Sequence, residues 1–262
     1  MKKKVIVIAV VLLLAGGAFY VFGRGLWYPL LLQLTGPRSV ADVVARYGPA
    51  AHKRLGPYFK RAGVAYPPKQ IALLVFKRER RLSLWARPAT NGPWRFIRHY
   101  PVLAASGHAG PKLRQGDYQV PEGVYRIEHM NPNSSYHLSM KVSYPNDLDR
   151  RMAARDARTR LGGDIFIHGD QVSIGCVAMG DPAIEELFTL VAETGHQRVK
   201  VIIAPNDLRA GGAVIHEDAP TWVGQLYRIV AAALVDFPLW MESNSAFDVL
   251  GRAKSPVSKI AK

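Results

Sequence analysis

The chain of 262 residues has a single cysteine, Cys176, and His168 stands eight positions before it. A thiol that attacks a carbonyl carbon needs a proton acceptor, because a free cysteine is only a few per cent thiolate near neutral pH. Residues 165–167 are apolar and predict a short buried strand that delivers His168 at its C-terminal end. Gly169 and Gly175 permit tight turns on either side of the intervening loop, which brings imidazole and thiol within reach of each other. A glycine before the nucleophile also lets backbone N–H groups face the reacting carbonyl and stabilise an oxyanion. The pattern therefore predicts acyl chemistry through a cysteine whose pKa His168 lowers. The competing reading makes Cys176 a small buried hydrophobe and His168 a hydrogen-bonded residue at a strand end.

The elements around this stretch are legible in outline. From residue 70 onward the sequence predicts strands, with 71–76 and 81–86 flanking a charged turn at 77–80 as a β-hairpin. Strands over 94–100 and 101–105 follow, then a glycine-rich break at 107–110. Tyr136, Leu138, Met140 and Val142 alternate as in a half-buried strand, which gives His137 a face-filling role. Residues 150–160 are charged enough to be a solvent-facing loop or helix. After Cys176, Asp181 suits a helix N-cap and Pro182 the first turn, while Ile184, Leu187, Phe188 and Val191 form an apolar stripe ended by Gly195. Residues 198–204 read as a last buried strand. The domain so outlined covers 70–205.

Before it, 24–69 read as a juxtamembrane connector with short helices. Ser39 caps one over 40–46, Gly48-Pro49 ends it, and a second, basic helix covers 50–61. After it, 206–262 reads as a helical segment followed by a basic tail bearing Lys254, Lys259 and Lys262. The N-terminus carries Lys2-Lys3-Lys4 and then an uncharged run of nineteen residues, 5–23, about 28 Å as a helix and close to a bilayer's hydrocarbon thickness. Basic residues before such a run keep the N-terminus inside. The expectation for 1–23 is a signal anchor in the inner membrane or a cleaved signal peptide, with the rest of the chain in the periplasm. A lone cysteine there cannot form an internal disulfide, which favours a working thiol. The 35 basic and 20 acidic residues give a net charge of +15, suited to an anionic membrane or an acidic wall. No zinc finger, recognition helix or aromatic RNA-binding signature accompanies it, so nucleic acid is not the expected partner.

His168-Gly169, a loop, then Ser173-Ile174-Gly175-Cys176 resembles the signature of the L,D-transpeptidase (YkuD) family. The short loop, with Ile174 where a second histidine usually stands, is similar to that family's YafK-like branch. Gly116-Asp117 leading into Val120-Pro121-Glu122-Gly123 resembles a second hallmark, with valine in place of the usual threonine. Residues 130–139 and 144–149 also look YafK-like and in that family would lie near the substrate groove. The resemblance implies a mainly β catalytic domain with a few helices, acting on peptidoglycan stem peptides through a cysteine thioester, with no metal or cofactor. It implies Cys176 as nucleophile, His168 as general base and the Gly169 carbonyl as the group that orients the imidazole. The N–H groups of Gly175 and Cys176, together with Ile174, would form the oxyanion hole, and Ser173 would shape the turn. An amine acceptor would give a cross-link. Water would give a peptidase or amidase, for which a wall-linked lipoprotein is the implied substrate. A membrane-tethered wall-binding module with an idle site is the reading outside the enzyme class.

Overall fold

The computed structural model describes residues 2–213, 215 and 217–239. The tail lysines 254, 259 and 262 lie outside the described residues. The chain begins with three helices, α1 (Lys2–Phe22), α2 (Arg24–Thr35) and α3 (Val40–Ala62). The strands follow as β1 (Gln70–Phe76), β2 (Arg81–Arg87), β3 (Arg95–Pro101), β4 (Ala104–Ala105), β5 (Gly123–Asn131) and β6 (Ser139–Val142). Helix α4 (Asp147–Arg155) separates these from β7 (Phe166–His168) and β8 (Val177–Ala178). Helix α5 (Asp181–Thr194), β9 (Val199–Ala204) and α6 (Val223–Leu234) complete the described elements.

The strands form one sheet in the order β3-β2-β1-β9-β5-β6-β7-β8-β4. Strands β1 and β2 form the antiparallel hairpin the sequence predicts, with Phe76 opposite Arg81 beside the turn. Strand β1 is apolar at almost every position because both of its faces are covered. Ile71, Leu73 and Val75 face the core shared with α3 and α5, while Ala72, Leu74 and Phe76 face α6. The stripe predicted on α5 is fully buried at Ile184, Leu187, Phe188 and Val191.

Two expectations need correction. The first concerns residues 40–62, which form one continuous helix with Pro49 and Pro57 inside it. A proline in a helix interior costs about 3 kcal/mol. Each large side chain on the stripe of Val43, Leu55 and Phe59 gains about 1.5–3 kcal/mol on burial, and this stripe joins the same core as the sheet. Tertiary packing therefore outweighs local punctuation. Arg54 adds an ion pair to Glu186 on α5.

The second correction concerns Asp181, which is the first residue of α5 rather than its N-cap; Gly180 holds that place. The Asp181 side chain instead accepts the Asp170 amide at 2.9 Å, tying the helix start to the loop after His168. Among the described residues no helix is long and apolar enough to cross a membrane. Helix α1 turns at Gly23 into α2, with the Trp27 ring stacked on Tyr20 at 5.2 Å.

Candidate active site

Strands β7 and β8 run parallel, pairing Ile167 with Val177 and His168 with Ala178. One step back along that register sets Cys176 beside Phe166. Paired residues of adjacent strands point to the same face, and so do residues two apart on one strand. Thiol and imidazole therefore share a face of the sheet, their Cα atoms about 8 Å apart by strand spacing and rise. The apolar Ile165 and Ile167 are buried and fix the strand in the core.

His168 is buried, and its Nδ1 lies 2.5 Å from the Gly169 carbonyl oxygen. A carbonyl only accepts, so Nδ1 carries the proton and Nε2 keeps its lone pair. The Tyr136 ring covers the imidazole at 4.8 Å. Gly169 has no room for a side chain, since a Cβ would stand 2.6 Å from Asp181 Oδ1 and 2.7 Å from the Tyr136 oxygen. The close passage of the backbone there is what brings its carbonyl onto the histidine ring.

The Cys176 thiol is half-buried and donates to the Asp164 carbonyl oxygen at 3.7 Å. Burial pushes its pKa up, against the pull of the Phe166 amide and the Lys112 charge. Burial pushes His168 down, against its Gly169 hydrogen bond and the Asp170 charge. The expected depression of the thiol pKa is thus reversed in the resting site. Both partners are neutral near pH 7, because desolvation disfavours the charged form of each.

Gly175 takes φ +111°, a conformation that favours glycine. The turn it makes is held by two serines. Ser106 Oγ accepts the Gly175 amide at 2.6 Å. Ser173 Oγ accepts the Cys176 amide at 3.2 Å and the Ser106 amide at 3.1 Å, and donates to the Cys176 carbonyl at 2.6 Å. The amides of Gly175 and Cys176 are therefore committed to hydroxyls in this state and do not stand open to a substrate carbonyl. Ile174, at the tip of the turn, is 70% exposed. Ser173→Ala would leave two amides and a carbonyl without a partner. Unfolding in denaturant should show a loss of about 1–3 kcal/mol, and an unchanged midpoint would mean that solvent replaces the hydroxyl at no cost.

Sequence reasoning missed Ser106 and the loop that carries it. Lys77, on the hairpin turn, donates to the carbonyls of Gly110 at 3.0 Å and Val120 at 2.9 Å and pairs with Glu122 at 3.0 Å. Glu122 in turn accepts the Gly110 amide at 2.8 Å. Asp117 accepts the amides of Leu113, Arg114 and Gln119 and pairs with Lys112. The Gly-Asp and Pro-x-Gly segments thus act as a rigid brace that sets Ser106 against the cysteine turn. His137 is buried and pairs with Glu185 at 3.0 Å, outside the site. Among the described residues no group of three His, Cys, Asp or Glu side chains is arranged to hold a metal ion.

Residues 70–203 match the L,D-transpeptidase catalytic domain family, YkuD. The chain is 35% identical over 140 residues to the protein named "Putative L,D-transpeptidase YafK" in Escherichia coli K12, and equally to its O157:H7 counterpart. The alignment covers 52% of this chain and 54% of those proteins, so the chain spans about half the length of the curated relatives it matches. Among solved structures, it is similar to the helical cell shape determining protein Pgp2 from Campylobacter jejuni, at 22% identity and a TM-score of 0.43, over 53% of this chain and 48% of that one. It is also similar to Bd1075 of Bdellovibrio bacteriovorus, at 23% identity and a TM-score of 0.38, over 52% of this chain and 48% of that one. With the family match covering half of its length, the chain belongs to the L,D-transpeptidase catalytic domain (YkuD) family.

Proposed function

We propose that the chain is a cell-wall enzyme that transfers acyl groups on peptidoglycan stem peptides through a thioester on Cys176. The observation that carries this reading is the histidine fixed with Nε2 unprotonated on the same sheet face as the half-buried thiol. His168 Nε2 takes the thiol proton as sulfur attacks the peptide carbonyl, then passes it to the departing amine. The acceptor, an amine or water, repeats the sequence in reverse and frees the thiol. The Gly169 carbonyl holds the ring in the required tautomer throughout and stabilises the imidazolium while it carries the second proton.

The oxyanion donors in this reading are the amides of Gly175 and Cys176, with Ile174 beside them. Ser106 and Ser173 occupy the first two at rest, and the developing negative charge displaces the hydroxyls because an ionised acceptor binds an N–H about twice as strongly as a neutral one. Ser173 shapes the turn and does not react.

Peptidoglycan chemistry and the basic-then-apolar N-terminus support a periplasmic location. A reporter fused after Lys69 should be active only where the fusion is exported, and activity of a reporter that works solely in the cytoplasm would overturn it. The reaction is tested by incubating the chain with purified muropeptides and weighing the products. A cross-linked product identifies an amine acceptor, and a shortened stem or released peptide identifies water. Intact muropeptides after incubation would leave a wall-binding module as the better account.

A further inference from the structure

A cavity of about 600 Å³ opens where β9 begins. None of its lining residues comes from the 164–179 stretch. The lining carries five cationic side chains, Arg87, Arg126, Arg150, Arg198 and Lys200, against two carboxylates, Glu128 and Asp147. Both carboxylates are already engaged. Glu128 pairs with Lys141 at 3.7 Å, and Asp147 pairs with Arg150 at 3.4 Å. Arg87 lies over the Trp94 ring at 4.1 Å and reaches Asp236 at 3.9 Å. Among the described residues, Arg126, Arg198 and Lys200 have no ion-pair partner.

Two of these three are placed at a cost. Arg126 on β5 stands directly opposite Lys200 on β9 in the antiparallel ladder. Like charges in that position repel and weaken the pairing. Arg198 lies just before β9, two residues from Lys200, and adds a third positive charge at the same mouth. Ser143 contributes a hydroxyl whose oxygen accepts the Arg126 amide at 3.1 Å, leaving its hydrogen free to donate into the cavity.

We propose that this cavity is a second binding site, one that takes a phosphate-bearing anion. One carboxylate would neutralise a single charge. A phosphate group offers several ionised or strongly accepting oxygens, which match the planar fork of arginine and leave an oxygen for the lysine and the hydroxyl. The cavity is large enough for more than the phosphate, so the group arrives on a larger carrier, either a lipid headgroup at a membrane surface or a soluble phosphate. The site is independent of the thiol chemistry and stands whether or not Cys176 is a nucleophile.

The test uses the full chain with two probes, inorganic pyrophosphate by titration calorimetry and vesicles of phosphatidylglycerol compared with phosphatidylcholine by co-sedimentation. The variant carries Arg126→Gln and Lys200→Gln together. The control carries Arg151→Gln and Arg155→Gln, which remove equal charge from exposed positions on α4 outside the cavity. Loss of two charged contacts should weaken pyrophosphate binding by about tenfold or more, with the control within about twofold of the parent. Melting without phosphate should show the cavity variant at least as stable as the parent, because a repulsive pair is gone. A drop in vesicle binding confined to phosphatidylglycerol and to the cavity variant assigns the lipid source. A drop confined to pyrophosphate assigns the soluble one. Equal losses in variant and control mean diffuse attraction to a basic surface and overturn the proposal, as does the absence of saturable binding to either probe.

Discussion

Cys176→Ala is expected to abolish muropeptide turnover while the chain stays folded. The substitution removes one sulfur from a half-buried turn whose shape is set by Ser106 and Ser173 rather than by the thiol. Cys176→Ser should be nearly as inactive, because a hydroxyl is far harder to deprotonate than a thiol with one neutral imidazole as base. Mass analysis of the wild type during turnover should show an adduct on Cys176 equal to the acyl fragment, absent from the alanine variant. Wild-type rates from a folded Cys176→Ala protein would rule out a thioester route altogether.

The second large effect belongs to His168. Replacing it by alanine should slow turnover by roughly 10²- to 10⁴-fold, equivalent to about 3–5 kcal/mol of barrier. Its pH dependence separates its role from mere packing. The base must be neutral to accept a proton, and burial holds the His168 pKa below the ordinary value of 6.5. The wild-type rate should therefore persist into mildly acid solution, with its acid limb below pH 6.5, and that limb should vanish from the residual rate of His168→Ala. Burial also raises the Cys176 pKa, so alkylation of the thiol should still be climbing at pH values where a free cysteine has levelled off. An alkylation plateau reached below neutral pH would show a preformed thiolate–imidazolium pair in place of the neutral pair described above.

What could be read from the sequence, and what could not, divides by distance along the chain and by burial. His168, Gly169 and Cys176 fall within nine residues, and apolar neighbours on one side and glycines on the other are enough to indicate a strand followed by a returning loop. The hairpin of β1 and β2 is equally local. Ser106 lies 67 residues before Ser173, and a lone serine between an alanine and a glycine carries no signal of the partner it will meet. The break expected at Gly48-Pro49 is a sound local inference defeated by packing, because the buried stripe from Val43 to Phe59 needs the helix unbroken. The thiol pKa went in the other direction for a similar reason: a neighbouring histidine is visible in sequence, while the water that burial excludes from the sulfur is not.

The place of β9 in the sheet has a consequence for how the chain reaches this state. It lies between β1 and β5, joined to the first in parallel and to the second antiparallel, and it is the last strand among the described residues. Until it is made, β1 and β5 both present open edges, and the hairpin side of the sheet has no ladder to the side that holds the thiol. Synthesis at about 5–20 residues per second leaves β1 waiting roughly 6–26 seconds for its partner. The ladder to β1 then depends on contacts more than a hundred residues apart, which slows folding relative to local pairing. Through that interval the unpaired apolar edges are open to pairing with other chains, so a holding factor that binds extended apolar segments should raise the yield of folded protein more than one that acts on the finished domain.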